Sequence, residues 1–248
     1  MNHYESLIII LMTHKSNIIN SAIASTLNYR SIVTRGLSIH FDASAKDSYP
    51  ETGTTWTDLI TSTAGTLANG PTYSTDGSGS ISFDGTNDYS YTSNISTSFP
   101  GGASLEMWVN LITRDRNQGF IDYGGGGKYI NFYMAGSGGS ANKMRWEVIN
   151  TTGSPYDTIT TTTTFQTGVW YHVVGTFNGT SLFLYLNGAQ ESTVAMSNVP
   201  TSMNVSFTIG QYAGYCNAKI AVARFYNRVL AASEIAQNFN IQKSRFGY

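Results

Sequence analysis

The sequence predicts an all-β sandwich that is closed by one short C-terminal helix. Apolar and polar residues alternate in short runs, which is the period of half-buried strands. Clusters of Gly, Asn and Ser separate these runs, as turns do. A sustained helical period occurs only at residues 233–241. Together these observations predict packed antiparallel sheets rather than an alternation of strands and helices.

The predicted strands follow one another at short intervals from residue 37 onward. Leu105, Met107 and Val109 show the pattern, since they share one face of their strand. Glu106 and Trp108 occupy the opposite face. In chain order, the predicted strands cover residues 37–42, 80–84, 105–111, 129–134, 144–148, 169–177, 182–187, 207–209 and 220–226.

Glycine-containing pairs predict how these strands are joined. Asn178-Gly179 and Asn187-Gly188 indicate hairpin turns, because both residue types tolerate positive φ. The glycines at 124–127 indicate another hairpin tip. They are not a phosphate loop, because no Lys-Ser or Lys-Thr leads from them into a helix.

The closing helix is predicted to lack its usual N-terminal cap. Ala231 stands at the N-cap position, where a Ser would supply a side-chain oxygen. Glu234, three residues later, keeps the other half of a capping box. We therefore expect the helix to depend on packing by Ile235 and Phe239.

Composition excludes several classes of protein. Only 12% of the 248 residues are charged, against about 25% in ordinary soluble proteins. The net charge of −1 gives no basic surface for nucleic acid. The surface that Ser, Thr, Asn, Gly and Tyr provide suits extracellular or virion proteins that meet sugars, although any Thr-rich sandwich has such a composition. The single cysteine, Cys216, excludes an intramolecular disulfide.

Residues 1–34 are predicted to be an N-terminal arm, and residues 35–248 the sandwich domain. The apolar run at 7–12 is too short to insert across a membrane. Residues 22–24 (AIA) resemble a signal-peptidase site, but no basic residue precedes the run and residues 13–17 (THKSN) interrupt it. Because apolar surface is costly in water, we expect the arm to dock on a neighbouring subunit, which predicts a homo-oligomer. The alternative is a tail that lies against its own domain.

Several segments together resemble the concanavalin A-like lectin/glucanase domains, the laminin G-type jelly rolls. They are residues 36–43 (GLSIHFDA), 82–89 (SFDGTNDY), 105–109 (LEMWV), 170–179 (WYHVVGTFNG) and 219–230 (KIAVARFYNRVL). The resemblance covers residues 33–248 and implies a concanavalin A-like jelly-roll β-sandwich of two antiparallel sheets. The ending, residues 243–247 (KSRFG), resembles versions found in structural proteins of tailed phages. That likeness implies a virion structural protein, such as a capsid decoration or fibre-associated subunit.

The resemblance gives little support to a calcium site. The family often carries an acidic pair in the last strand, where this chain has Ala221 and Val222. A hard cation needs such oxygen ligands. Asp42, Asp84 and Asp88 could contribute to a site, although the sequence around the last two is more typical of turns. We therefore expect no cofactor and no metal.

The sequence lacks the catalytic pattern of the glucanases that share this fold. These enzymes place two or three carboxylates alternately on one strand, because an acid and a base must flank one glycosidic bond. Glu106 and Glu147 each stand alone on separate predicted strands. His172 and Cys216 belong to no recognisable nucleophile–base motif. The sequence therefore predicts a protein that is not an enzyme.

Aromatic and amide side chains predict a carbohydrate-binding surface. Sugars stack on aromatic rings and exchange hydrogen bonds with amides and hydroxyls. The candidate residues all lie opposite the aliphatic face of their strands: Trp108, Tyr129, Asn131, Tyr133, Tyr185 and Asn187. They form one surface if their strands are neighbours. The alternative is that this face packs against the second sheet or another subunit.

Two functional classes follow from these observations. The first is a virion structural protein that displays a lectin-like domain on the virion surface and binds host-surface glycans. The second is a secreted, extracellular carbohydrate-binding module. A glycoside hydrolase is the third and weakest possibility.

Overall fold

The computed structural model describes residues 31–150, 156–197 and 200–248, and it confirms the predicted all-β architecture. The strands in these ranges are β1 (Leu37–Asp42), β2 (Thr55–Thr57), β3 (Ala64–Ala68), β4 (Thr72–Ser74), β5 (Ser80–Asp84), β6 (Tyr89–Thr92), β7 (Ile95–Ser98), β8 (Ala103–Leu111), β9 (Gln118–Gly125), β10 (Lys128–Met134), β11 (Met144–Ile149), β12 (Asp157–Thr160), β13 (Trp170–Phe177), β14 (Ser181–Leu186), β15 (Ala189–Ala195), β16 (Ser202–Val205), β17 (Phe207–Ile209) and β18 (Asn217–Tyr226). The helix α1 spans Ala232–Gln242, and short 3-10 helices cover Asp76–Ser78 and Lys243–Phe246. None of the helices in the described ranges is long and apolar enough to cross a membrane.

Most strands belong to two large antiparallel sheets. Sheet 1 has the order β15-β14-β13-β8-β18-β5-β4, and β1 pairs with the second half of β18. Sheet 2 has the order β12-β11-β10-β9-β17-β6-β3-β2. The strands β7 and β16 form a separate ribbon. Strand β18, although last in the sequence, lies in the middle of sheet 1 and pairs with both β8 and β5.

The predicted hairpin turns are present. Asn187-Gly188 joins β14 to β15 with φ values of 51° and 82°, and Gly126-Gly127 joins β9 to β10 with 62° and 85°. Two consecutive positive φ angles match the twist of the flanking strands. In the loop between β13 and β14, the side-chain oxygen of Asn178 accepts the backbone N–H groups of Thr180 and Ser181.

The hydrophobic core lies between the facing sides of the two sheets. Met107 and Val109 of β8 and Ile130 and Phe132 of β10 are fully buried there. Successive side chains of a strand point to opposite faces. The residues between these core positions therefore lie on the outer faces of the sandwich, where the surroundings of the two sheets differ.

The C-terminal helix covers the outer face of sheet 1. Trp108 stacks on Phe246 with ring centroids 3.9 Å apart, and on Phe239 at 5.7 Å. Ile235 of the helix is fully buried and packs against Val174 and Tyr226 of sheet 1. As expected, the N-terminus has no side-chain cap, and the Ala231 N–H donates to the Glu234 carboxylate at 2.8 Å.

A buried ionic cluster lies beneath the same helix. The Glu106 carboxylate accepts hydrogen bonds from Arg224 at 2.7 Å and from Asn238 at 2.7 Å. His172 Nε2 lies 3.1 Å from Glu106. Burial alone would raise the pKa of Glu106, but the Arg224 charge and the His172 hydrogen bond outweigh burial and lower it to about 2. Glu106 is therefore an ionised structural residue of sheet 1.

The last residues of the predicted N-terminal arm run beside α1. The Val33 N–H donates to Asn238 Oδ1 at 2.8 Å, and the Gln237 side chain donates to the Ser31 carbonyl at 2.9 Å. Residues 1–30 lie outside the described residues, and the docking of the arm on a neighbouring subunit stays a prediction.

Candidate functional site

The six residues proposed from the sequence do not form one surface. Trp108, Tyr185 and Asn187 belong to sheet 1 or its turns, whereas Tyr129 and Tyr133 lie with Asn131 in sheet 2. The strands β8 and β14 are separated by β13, and the whole sandwich lies between them and β10. The strand period correctly identified outward side chains but could not show which sheet each strand joins.

The three residues on sheet 1 are covered by the C-terminal segment. Trp108 is fully buried beneath Phe239 and Phe246. Tyr185 packs in a cluster with Ile235 of the helix. Asn187 accepts the His172 N–H at 3.0 Å and donates to the Tyr248 hydroxyl at 3.1 Å. These three residues therefore hold the end of the chain on sheet 1. We no longer include them in the sugar site predicted from the sequence.

The three residues on sheet 2 do share an outer face. Tyr129, Asn131 and Tyr133 alternate along β10 with the buried side chains of Ile130 and Phe132. Both tyrosines remain partly exposed, whereas Asn131 is fully buried under the groups around it.

A row of polar side chains crosses this face in register. Asn131 of β10 stands opposite Asp122 of β9 and opposite Glu147 of β11. On the other side of β9, Asp122 stands opposite Thr208 of β17. These four residues, Thr208, Asp122, Asn131 and Glu147, are called the polar row below. Asn131 donates to Glu147 at 3.3 Å.

The loop between β17 and β18 brings a further tyrosine over the polar row. The Tyr212 hydroxyl donates to Glu147 Oε2 at 2.9 Å. Its ring lies 6.2 Å from the ring of Tyr129 and 5.8 Å from that of Tyr133. The backbone of Tyr212 sits directly on Gly119 of β9, where a Cβ would lie 2.1 Å from the Tyr212 nitrogen. A glycine at 119 is therefore required for this loop to reach the sheet.

Arg145 supports the same group of rings. Its guanidinium lies over the Tyr133 ring, 4.8 Å from the centroid, and donates to the Tyr133 hydroxyl. Tyr129 packs across the strands on Gly124, where a Cβ would lie 2.3 Å from the ring. Cation–π contact and packing on glycine both fix the ring orientations.

A second group of tyrosines continues the face beyond Thr208. Tyr89 and Tyr91 stack on β6 with centroids 5.6 Å apart, and Tyr215 lies 6.3 Å from Tyr89. Tyr91 stands opposite Thr208 and is 42% exposed. We call the complete surface the tyrosine face; it comprises the polar row and Tyr89, Tyr91, Tyr129, Tyr133, Tyr212 and Tyr215. From β6 to β11 it spans about 19 Å at the usual strand spacing.

The electrostatics of the polar row favour an incoming hydrogen-bond donor. Burial and the nearby Glu147 carboxylate raise the pKa of Asp122 to about 7. Asp122 Oδ1 and Asn131 Oδ1 are both enclosed acceptors without a hydrogen-bond partner. Such groups are rare in proteins unless water or a ligand satisfies them.

The remaining acidic candidates from the sequence are far apart, ion-paired or part of a turn. Glu106 and Glu147 lie on different sheets and do not meet. Asp42 pairs with Arg245 at 2.9 Å. The other two acidic candidates form a turn: Asp84 Oδ1 accepts the Thr86 N–H at 2.7 Å, and Asp88 Oδ2 accepts the Asp84 N–H at 3.0 Å.

The structure also accounts for Ala221 and Val222, the two positions at which the family resemblance implied an acidic pair. Ala221 and Val222 are fully buried in the cluster that holds Trp108 and Phe246 under the C-terminal segment. Carboxylates would be costly at these positions. Within residues 31–150, 156–197 and 200–248, no cluster of three or more His, Cys, Asp or Glu side chains could hold a metal ion.

Sequence reasoning missed most of the tyrosine face. Tyr89 and Tyr91 carry an i, i+2 signal that could have been found in the sequence. Asp122 alternates with buried Ile121 and Tyr123 and could also have been found. Tyr212 and Tyr215 lie in a loop without periodicity, and only the tertiary structure brings them to this sheet.

Solved structures share the fold at low sequence identity. Domain 4 of the extracellular arabinanase AbnA from Geobacillus stearothermophilus, in complex with arabinotriose, is 18% identical with a TM-score of 0.64; the match covers 82% of this chain and 97% of that one. The binding domain of botulinum neurotoxin DC, in complex with SialylT, is 10% identical with a TM-score of 0.66; the match covers 84% of this chain and 52% of that one. The Trypanosoma rangeli sialidase is 16% identical with a TM-score of 0.61, over 88% of this chain and 35% of that one.

These likenesses extend over the fold alone. The chain spans about half the length of the neurotoxin binding domain and a third of the sialidase. No curated protein sequence matches this chain. The model of one protein family, described as the concanavalin A-like lectin/glucanases superfamily, matches residues 84–236. Since that match covers more than half of the sequence and the two-sheet sandwich agrees with it, the chain belongs to the concanavalin A-like lectin/glucanase superfamily.

Proposed function

We propose that this protein is a non-enzymatic glycan-binding protein and that it binds sugars on the tyrosine face. The observation that carries the proposal is the polar row with unpaired acceptors, flanked on both sides by groups of tyrosines. Tyrosine rings offer apolar surfaces for stacking, and the row offers hydrogen-bond partners for hydroxyl groups.

The difference between the two outer faces supports this choice of surface. Sheet 1 is covered by the helix and the residues that follow it, with Trp108 fully buried. The tyrosines of sheet 2 keep part of their surface exposed. Structural neighbours lend further support, since one is a domain in complex with arabinotriose and another belongs to botulinum neurotoxin type C, whose cell entry depends on interaction with two ganglioside molecules.

A glycan array with matched variants tests the proposal. Tyr212→Ala and Tyr133→Ala each remove a ring from the tyrosine face. We expect either change to weaken binding of the best glycan at least about tenfold, as loss of a central aromatic contact does. Tyr248→Ala is the control, because Tyr248 is 46% exposed and lies with the C-terminal segment on sheet 1. Absence of glycan binding by the unaltered protein, or equal effects of all three changes, would contradict the proposal.

We further propose that the protein is a virion structural protein, a capsid decoration or fibre-associated subunit exposed on the virion surface. Its support is the resemblance of residues 243–247 to phage structural proteins and the apolar composition of residues 1–30. The arm would contact other virion proteins or identical subunits in a homo-oligomer. A secreted carbohydrate-binding module is the alternative with the same sugar site.

Native particles distinguish these two settings. Quantitative mass spectrometry of purified virions should find the chain in many copies. Deletion of residues 1–30 should abolish its incorporation while the sandwich stays folded by circular dichroism. Absence from particles, or unchanged incorporation of the truncated chain, would rule out the virion role and its anchor.

One observation favours a glycoside hydrolase as the second candidate. Asp122 has a pKa near neutrality, as a general acid requires, and Glu147 lies one strand beyond Asn131. Against this, Glu147 is only 5% exposed and already accepts hydrogen bonds from Tyr212 and Asn131. We therefore place binding first. Release of reducing sugar from a bound glycan, abolished by Asp122→Asn, would reverse this order.

A further inference from the structure

We infer that the tyrosine face prefers glycans that carry a protonated amino group, and that this ammonium group is bound at Asp122, beside Asn131. The inference rests on the proposed glycan-binding function and specifies the class of sugar. It is carried by an excess of acceptors over donors at the centre of the polar row.

The acceptors at this point lack partners within the protein. Asp122 Oδ1 and Asn131 Oδ1 are enclosed and unpaired, and the two residues stand directly opposite each other on β9 and β10. Asn131 is fully buried, so its side chain is not simply solvated. Two facing acceptors call for a group that can donate more than one hydrogen bond.

Most nearby donors are already engaged elsewhere, and the Arg145 Nε–H is the one enclosed donor on this part of the described face without a partner. The Asn131 amide and the Tyr212 hydroxyl both donate to Glu147. Arg145 donates to the Tyr133 hydroxyl and lies over that ring. Asp122 also shares the face with the Glu147 carboxylate, and burial and this second charge both raise the pKa of Asp122 and disfavour its ionised form.

An ammonium group satisfies this arrangement better than a neutral hydroxyl. It supplies three donors and a positive charge, and a charge-assisted hydrogen bond is about twice as strong as a neutral one. The rings of Tyr129 and Tyr212 beside the row can add cation–π attraction. A divalent cation fits less well. Calcium, for example, takes six or more oxygen ligands, and no cluster of three metal-binding side chains occurs in the described ranges.

Asp122 is also reachable from outside. The residue as a whole is partly exposed, although Oδ1 itself is enclosed. The ring of Tyr129 packs beside it on Gly124. A sugar that stacks on the tyrosines would thus bring an amino substituent to the carboxylate edge.

A paired glycan array tests the inference. The array carries oligomers of β-1,4-linked glucosamine and of galactosamine, each in N-acetylated and de-N-acetylated form, beside neutral glycans. Acetylation removes the charge and leaves the sugar backbone unchanged. We expect the unaltered protein to bind free-amine oligomers at least about tenfold more tightly than their acetylated counterparts, as a charge-assisted contact implies.

Two variants and one polymer complete the experiment. Asp122→Asn should reduce binding of the free-amine oligomers to the level of the acetylated ones. Asp47→Asn, at an exposed carboxylate of the loop after β1, should keep the preference. Polylysine should not bind as tightly as the amino-glycans, since charge alone is not the recognised feature.

The outcomes separate this inference from the proposed function. Binding of neutral or acetylated glycans without a preference for free amines would overturn the inference and leave glycan binding intact. A preference that survives Asp122→Asn, or equal binding of polylysine, would also overturn it. Failure of every glycan on the array to bind would instead remove the glycan-binding function, and the inference with it.

Discussion

At the scale of single residues, two carboxyls on opposite faces of the sandwich acquire opposite properties. Glu106 is fully buried, yet Arg224, His172 and Asn238 hold it in the ionised form. Asp122 is partly exposed as a residue, but burial of its carboxyl and the nearby Glu147 charge raise its pKa to about 7. A structural carboxylate is stabilised by its surroundings, whereas a binding carboxylate can be kept at a cost in stability.

Replacement of Glu106 tests the structural role. Glu106→Gln leaves Arg224 buried without its counter-charge, which should lower the free energy of unfolding by about 3–5 kcal/mol at pH 7. The pKa of Glu106 is lowered to about 2 from an ordinary 4.5, so its stabilisation is complete above pH 4.5 and is lost as the pH falls toward 2. Urea denaturation of both proteins across this range is the measurement; a difference independent of pH would contradict the assignment.

Replacement of Asp122 tests whether its ionised carboxylate destabilises the folded domain. The folded pKa of about 7 lies above the ordinary 3.8, so ionisation of Asp122 costs stability progressively as the pH rises between these values. Glu147, Arg145, Tyr129, Tyr133 and Tyr212 are the other titratable or charged side chains of this part of the face. Asp122→Asn should therefore stabilise the domain at pH 8, on the order of 1–3 kcal/mol, and have little effect near pH 4. Equal melting temperatures of the two proteins at pH 8 would speak against a strained carboxyl.

At the scale of elements, the C-terminal helix is held by packing more than by its own sequence. Ala231 has the extended φ and ψ of an N-cap residue (−68° and 153°) but no side-chain acceptor. Ala231→Ser should supply that acceptor and stabilise the protein by about 1 kcal/mol in thermal unfolding. Ala232→Ser, one residue inside the helix, is the control and should give no gain. Equal effects of the two serines would show that capping does not limit the helix.

On sheet 2, the element that packs on the outer face is the loop that carries Tyr212. A Cβ at position 119 would overlap the Tyr212 backbone. Gly119→Ala should thus displace the loop and weaken glycan binding at least about tenfold, with the strand content of the circular dichroism spectrum retained. Gly139→Ala is the matched control, because nothing lies within 4 Å of a Cβ there. Unchanged binding by Gly119→Ala would exclude the loop from the site.

At the scale of the whole molecule, one outer face of the sandwich is covered by the chain itself, and the other carries the face that we propose for binding. The chain covers sheet 1 with its own C-terminal segment and anchors that segment through the Glu106 cluster. Sheet 2 instead presents the tyrosine face, from Tyr91 on β6 to Glu147 on β11. Both faces show the same alternation in sequence, because strand periodicity reports only inward and outward positions.

This division explains how much the sequence could predict. Alternation and turn residues were sufficient for the all-β class, the hairpins and the helix, but they did not predict strands such as β6 and β9. Trp108 and Tyr129 look equivalent in their strands, yet one lies under Phe246 and the other on the open sheet. That distinction depends on strand order and on where residues 232–248 pack, which are long-range features that no local pattern contains. Tyr212 reaches the face only because β17 lies beside β9.

The most direct measurement is the mapping of backbone amide chemical shifts while the isotope-labelled protein is titrated with the tightest-binding glycan from the array. The largest shifts should fall in β9, β10 and β11 and in residues 210–216, around Asp122, Asn131 and Tyr212. Shifts centred instead on α1 and the outer face of sheet 1, or on loops remote from sheet 2, would contradict the tyrosine face as the binding site.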